Sequence, residues 1–189
     1  MFAYAKSFNG DLSKWDVSSV TDMNLMFMHA TSFDGDLSNW AVPSVTSMSR
    51  MFMGATSFNG DISKWDVSSV TTMTSMFNSA TSFNGDISKW DVSKVTKMNY
   101  MFWQATSFKQ QLCQAAWVNS KASKIHMFTG SCGSISKTAC AATFLSKAAL
   151  ESAVVACLKS SPKGDCPNGL RASLLSHHHS RMLHPRHEG

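Results

Sequence analysis

Apolar residues along the first hundred positions recur with a strict period of 25. Copies of the pattern begin at Met1, Met26, Met51 and Met76, and a fifth opens at Met101 before the pattern is lost. Counted from the opening residue, the recurring apolar places are Met1, Phe2, Ala5, Phe8, Trp15, Val17, Val20 and Met23, answered in the second copy by Met26, Phe27, Ala30, Phe33, Trp40, Val42, Val45 and Met48. A fixed period without insertions implies that each copy is one supersecondary unit stacked on its neighbours. From Val20 to Ala30 the apolar residues are Val20, Met23, Met26, Phe27 and Ala30. That spacing predicts one face of a short helix. Ser19 and Thr21 stand at its start, where hydroxyl side chains accept from free N–H groups.

The other half of the unit reads differently. Leu12, Trp15, Val17 and Val20 follow L-x-x-L-x-L-x-x, and the spacing returns as Ile62, Trp65, Val67, Val70 and as Ile87, Trp90, Val92, Val95. This is the core pattern of a leucine-rich repeat, whose central x-L-x-L-x is a short strand. Strands are expected at about Ser13–Val17, Ser38–Val42, Ser63–Val67 and Ser88–Val92. Phe58 to Asp61 supplies a turn, with Gly60 placed to take positive φ. The expected fold is therefore an α/β repeat solenoid, leucine-rich-repeat-like and curved. Short parallel strands would lie on one face and short helices on the other, with a small helical cap.

The full unit, M-F-x-x-A-x-x-F-N-G-D-I-S-x-W-D-V-S-x-V-T-x-M, resembles the BspA-like leucine-rich repeat of mycoplasma-type surface lipoproteins and of large microbial and algal repeat proteins. The likeness covers residues 1–108. It implies a surface-exposed solenoid used in adhesion or recognition, and it brings no catalytic residues. Val20, Val45, Val70 and Val95 occupy places where many leucine-rich repeats carry Asn, so no buried Asn ladder is expected.

Beyond Phe108 the pattern changes. Lys109–Phe128 reads as a degenerate last unit in which Leu112, Trp117, Val118, Met127 and Phe128 echo the repeat, as terminal repeats do when they cap an edge. Residues 109–135 form the expected cap, with Met127 to Ser136 as a Gly/Ser loop. Residues 136–168 hold a Cys-bearing linker and an amphipathic helix, Ala141–Lys159, stopped by Ser161–Asp165. Residues 169–189 are expected to be a disordered tail. Met1 already occupies a repeat position and no polar cap precedes it, so the chain is expected to be a fragment of a longer repeat protein.

Charge divides along the same line. Residues 1–107 carry seven Lys or Arg against nine Asp or Glu, and residues 108–189 carry ten against three. An acidic array argues against nucleic-acid binding by the repeats. No run of 18 apolar residues occurs, so no membrane span is expected.

Candidate chemistry is sparse. Cys113, Cys132, Cys140, Cys157 and Cys166 all follow the array, at spacings unlike those of zinc sites. Two disulfides with one thiol left over fit a secreted protein; five reduced thiols are the alternative. His177, His178, His179, His184 and His187 could hold a transition metal, but a disordered end or a misread frame is favoured, so no metal or cofactor is expected. The column Trp15, Trp40, Trp65 and Trp90 could stack on sugars, but its place in L-x-x-W-x-V favours core packing. No catalytic set rises above background, and the chain reads as a non-enzyme.

If Trp15 and Val17 point inward, strand alternation sends unit positions 14 and 16 onto a concave face. Those columns are Lys14, Asn39, Lys64, Lys89 and Asp16, Ala41, Asp66, Asp91. They are the candidate binding residues for a protein or glycan on a cell surface. A solvated checkerboard of Lys and Asp is the plainer alternative. The expected role is an extracellular or cell-surface adhesion module. A structural spacer comes second, and metal-binding or enzymatic work by the His/Cys-rich end third.

Overall fold

A computed structural model describes residues 1–140. The expected helix over Ala141–Lys159, the His-rich tail, Cys157 and Cys166 lie outside the described residues. The chain divides into two compact units, Met1–Lys137 and Thr138–Gly189. The first unit is a stack of layers in which the backbone of each copy bonds to the backbone of the next. Parallel bridges run Asp22, Ser47, Thr72, Lys97, Ser123 from layer to layer.

The helix expected over Val20–Ala30 is absent, and so are its equivalents. In its place the chain makes successive tight turns. The amides of Met26, Met28 and Ala30 donate to the carbonyls of Met23, Leu25 and Phe27 at 3.4, 3.2 and 3.1 Å. The intervening amides point out of the layer: Met23, Leu25, Phe27 and His29 donate to the carbonyls of Ser47, Ser49, Met51 and Met53 at 2.7 to 3.1 Å. These amides thus find acceptors alternately within a turn and in the next layer, which is what burial of a backbone donor demands. Two residues per copy take left-handed backbone angles, Leu25 at φ 62° and His29 at φ 57°, with Arg50, Ser75, Tyr100 and Gly54, Ser79, Gln104 at the equivalent places. Each non-glycine left-handed residue costs about 1–2 kcal/mol. The gain is an inter-layer ladder that a short helix, marginal by itself, could not make. Spacing at i and i+3 is common to helix and turn chain, so periodicity could not separate them.

The expected strands at 13–17, 38–42, 63–67 and 88–92 are also turns. Trp15 donates to Leu12 at 3.1 Å and Val20 to Val17 at 3.0 Å, and the pattern repeats in each copy. Asp at unit position 11, and at position 16 in every copy but the second, favours this: Asp11 Oδ1 accepts the Ser13 amide at 2.9 Å and Asp16 Oδ1 accepts the Ser18 amide at 3.0 Å. Such local bonds compete with a strand ladder. The parallel pairing falls at position 22 instead. Among the described residues the strands are β1 (Gln111–Leu112) and β2 (Ser134–Ile135), paired in parallel. Cys132 to Ser136 therefore runs alongside Phe108 to Leu112, where a Gly/Ser loop was expected. Gly60 does not take positive φ. A Cβ there would lie 3.0 Å from the Phe58 ring and 3.3 Å from the Gly35 carbonyl, so glycine eases a close approach.

The core is columnar. Phe27, Phe52, Phe77 and Phe102 stack at 5.5 to 5.6 Å between centroids, and each lies about 4 Å from the second Phe of its own layer. Trp40, Trp65 and Trp90 are buried, and each indole N–H reaches the carbonyl at position 12 of the preceding layer, 2.9 to 3.1 Å away. Trp117 continues the column by donating to Ile87 at 3.1 Å. Strict repetition would put this Trp at Ala115, and the one described helix, α1 (Ala115–Val118), takes up the extra length.

Candidate functional site

The Trp column is core. Trp15, in the first copy, is 42% exposed, whereas Trp40 and Trp65 are 3% exposed and Trp90 1%. Burial with a satisfied indole N–H removes the three inner rings from any sugar-stacking role.

Lys14, Asp16, Asn39, Lys64, Asp66, Lys89 and Asp91 all reach solvent, but they sit on turns and not on a strand. The Asp side chains face their own backbone. Asp66 Oδ1 accepts the Ser68 amide and Asp91 Oδ1 the Ser93 amide, both at 3.0 Å. The Ser68 hydroxyl, then its amide, holds the Asp66 carboxyl below the ordinary carboxylate range, against the opposing effects of desolvation and then of Asp91. Ser18 and Ser93 act alike on Asp16 and Asp91. The Lys–Asp checkerboard takes another form: Lys94 acts on Asp66 and Asp91, and Lys64 and Lys89 act on Asp61 and Asp86.

Carboxyls held low in the fold contribute stability above about pH 4, the ordinary Asp value, and that contribution is lost as pH falls through the folded value. Seven Asp behave this way: Asp11, Asp16, Asp36, Asp61, Asp66, Asp86 and Asp91. The thermal midpoint should be level from about pH 7 to 5 and fall below about pH 4. Replacing Ser63, Ser68, Ser88 and Ser93 by Ala removes the hydroxyls and keeps the amides, so it should flatten that fall in part in a pH series of melts; an unchanged slope would refute the hydroxyl contribution.

Sequence reasoning missed two features. One is an exposed Asx ladder at position 9, where the Asn9, Asp34, Asn59 and Asn84 side chains accept from the amides of Asp34, Asn59, Asn84 and Lys109 at 2.8 to 3.1 Å. The expected lack of a buried Asn ladder concerned position 20, occupied by Val. The other is the outward side of the inter-layer ladder. There Ser47 and Asn24 bond across layers, as do Ser49 with Thr72 and Ser123 with Asn99. Its positions 25 and 3 change from copy to copy: Leu25, Arg50, Ser75, Tyr100 and Ala3, Met28, Met53, Asn78, Trp103. The signal was present as variation within a strict repeat.

Cys113 and Cys140 are each engaged in a disulfide, and Cys132 is a free exposed thiol. Among the described residues no three His, Cys, Asp or Glu side chains converge as a metal site, and no helix is long and apolar enough to cross a membrane.

The family described as "Mycoplasma protein of unknown function, DUF285" matches residues 1–64 and 36–139. The chain belongs to this DUF285 family. The two matches overlap and between them take in every layer, so the repeat itself is what the DUF285 pattern describes. No curated protein and no solved structure matches this DUF285 chain.

Proposed function

We propose that this DUF285 chain is a non-catalytic recognition or adhesion module of an extracellular or cell surface, built as a solenoid of BspA-like repeats. The observation behind this is a division within each copy. Inward positions hold the same Phe, Met, Trp and Val in each of the first four copies, while positions 25 and 3, which reach the surface except at Ser75, differ. A constant core presenting varied side chains at fixed spacing is how stacked repeats build binding surfaces. A mycoplasma repeat family fits that setting. Repetition suits recognition better than one asymmetric active site.

The test is attachment of the intact labelled chain to cells and to a panel of glycans and proteins. Attachment above an unrelated control is expected, and none to any of them would end the reading. Asp66→Lys with Asp91→Lys serves as a second arm. Loss of attachment with the fold intact would assign the surface to positions 14 and 16, and retention would assign it elsewhere.

A further inference from the structure

Nearly all aromatic side chains of the middle layers are buried, yet Tyr100 is 40% and Trp103 36% exposed. They stand on the outward side of the ladder, where the preceding copy carries Ser75 and Asn78. We propose that Tyr100, Trp103 and His126 form a stacking site for an acidic polysaccharide. This rests on the recognition reading above and gives it a ligand class.

The Tyr100 and His126 rings, and the backbone that carries Trp103, are held in place before any ligand arrives. Tyr100 takes φ 58° and stacks on His126, 5.5 Å between centroids and 27° between planes. Its amide donates to Ile125 at 2.9 Å, so the residue is tied into the next layer. The Trp103 amide donates to Tyr100 at 3.2 Å and its carbonyl accepts from Ser79 at 2.7 Å. Fixed rings lose little freedom on binding. Polar groups lie among them. Gln104 donates its backbone amide to Thr129, whose hydroxyl lies 3.5 Å from His126 Nδ1, and the Asn99 side chain is held by Ser123 and Ile125. Flat rings with amides and hydroxyls on neighbouring residues suit a sugar ring, which has a C–H face and a hydroxylated rim.

Charge selects the acidic kind. Between Val92 and Cys140 the chain has no Asp or Glu, and it carries Lys94, Lys97, Lys109, Lys121, Lys124 and Lys137. Residues 1–91 hold nine Asp against five Lys or Arg. Lys97 and Ser123 pair in the ladder directly before Tyr100 and His126. Lys124 borders the shallow hollow that His126 also lines, and the carbonyls of Ser120 and Ala122 hold its ammonium at 2.7 and 3.1 Å. Cationic groups beside the rings would draw carboxylate or sulfate by long-range attraction. Trp and Tyr beside Lys also occur at membrane surfaces. Here, among the described residues, Ile125 is the one further large apolar side chain that is well exposed, and Met127, Phe128 and Ile135 of the hollow are buried or half-buried, so no broad apolar face is offered to lipid.

The test is titration of the intact chain with polygalacturonate, chondroitin sulfate, dextran and phosphatidylserine vesicles. Binding to at least one acidic polysaccharide, weakening with salt and absent for dextran, is expected. Trp103→Ala and Tyr100→Ala should each weaken it about tenfold, the scale of one aromatic contact. Trp103→Phe should keep most of it and Lys6→Ala, at an exposed lysine of the first copy, all of it, with unchanged far-UV spectra. Binding to vesicles alone, to neither acidic polymer, or equally well by Trp103→Ala would overturn the proposal. If the chain attaches to cells and Trp103→Ala does not alter this, the recognition reading stands and the sugar site falls.

Discussion

Replacing Trp65 by Ala is expected to lower the stability of the array by about 3–5 kcal/mol, the range for losing a buried large aromatic. Two losses add up there. The ring packs against Trp40 at 6.3 Å and against Phe52 at 6.3 Å, and its indole N–H satisfies the buried Leu37 carbonyl at 3.1 Å. Trp65→Phe keeps much of the packing and deletes the hydrogen bond, so it should cost less, about 1–3 kcal/mol, the range for an orphaned buried acceptor. Trp15→Ala removes a ring that is 42% exposed and makes no such indole bond, and should cost least. Denaturant titration of the three variants checks the order. Equal midpoints for Trp15→Ala and Trp65→Ala would contradict the columnar core.

Phe77→Ala should be comparably severe, again about 3–5 kcal/mol. Phe77 meets Phe83 at 3.9 Å within its layer, Phe52 at 5.6 Å on one side and Phe102 at 5.6 Å on the other. Its amide also bonds Met101 in the next layer. Because layers touch only their neighbours, the damage should be local in extent though large in size. Amide exchange should show loss of protection centred on positions 76–102, with positions 26–50 less affected. Uniform loss from Phe2 to Phe128 would mean that the layers do not behave as nearest-neighbour units.

What could be read from the sequence was the period and the inside of the protein. Phe27, Trp40, Val42, Val45 and Met48 are buried as their spacing implied. The local conformation could not be read, because closely spaced turns bring the same side chains inward as a helix or a strand would. Deciding between them took bonds made one whole copy away, together with left-handed Leu25 and His29, which propensity disfavours. The candidate columns at positions 14 and 16 were rightly placed in solvent, but for a reason belonging to strands. Their Asp side chains serve their own turns. Tyr100 and Trp103 escaped attention because they occupy places with no fixed residue, and a search for recurring positions passes over them.

The alternation of amides, one closing a turn and the next reaching to the following layer, bears on how such chains can change length. Removing or adding one whole layer leaves every donor facing the acceptor it had before, since each layer offers the same carbonyls at the same places. Slipping by a single residue would aim each reaching amide at a carbonyl already used to close a turn, all along the ladder. Gene slippage or unequal crossover would therefore be tolerated in steps of one whole repeat and purged at other lengths. The exception sits where α1 absorbs the insertion before Trp117, so the last layer is where odd lengths could be accommodated.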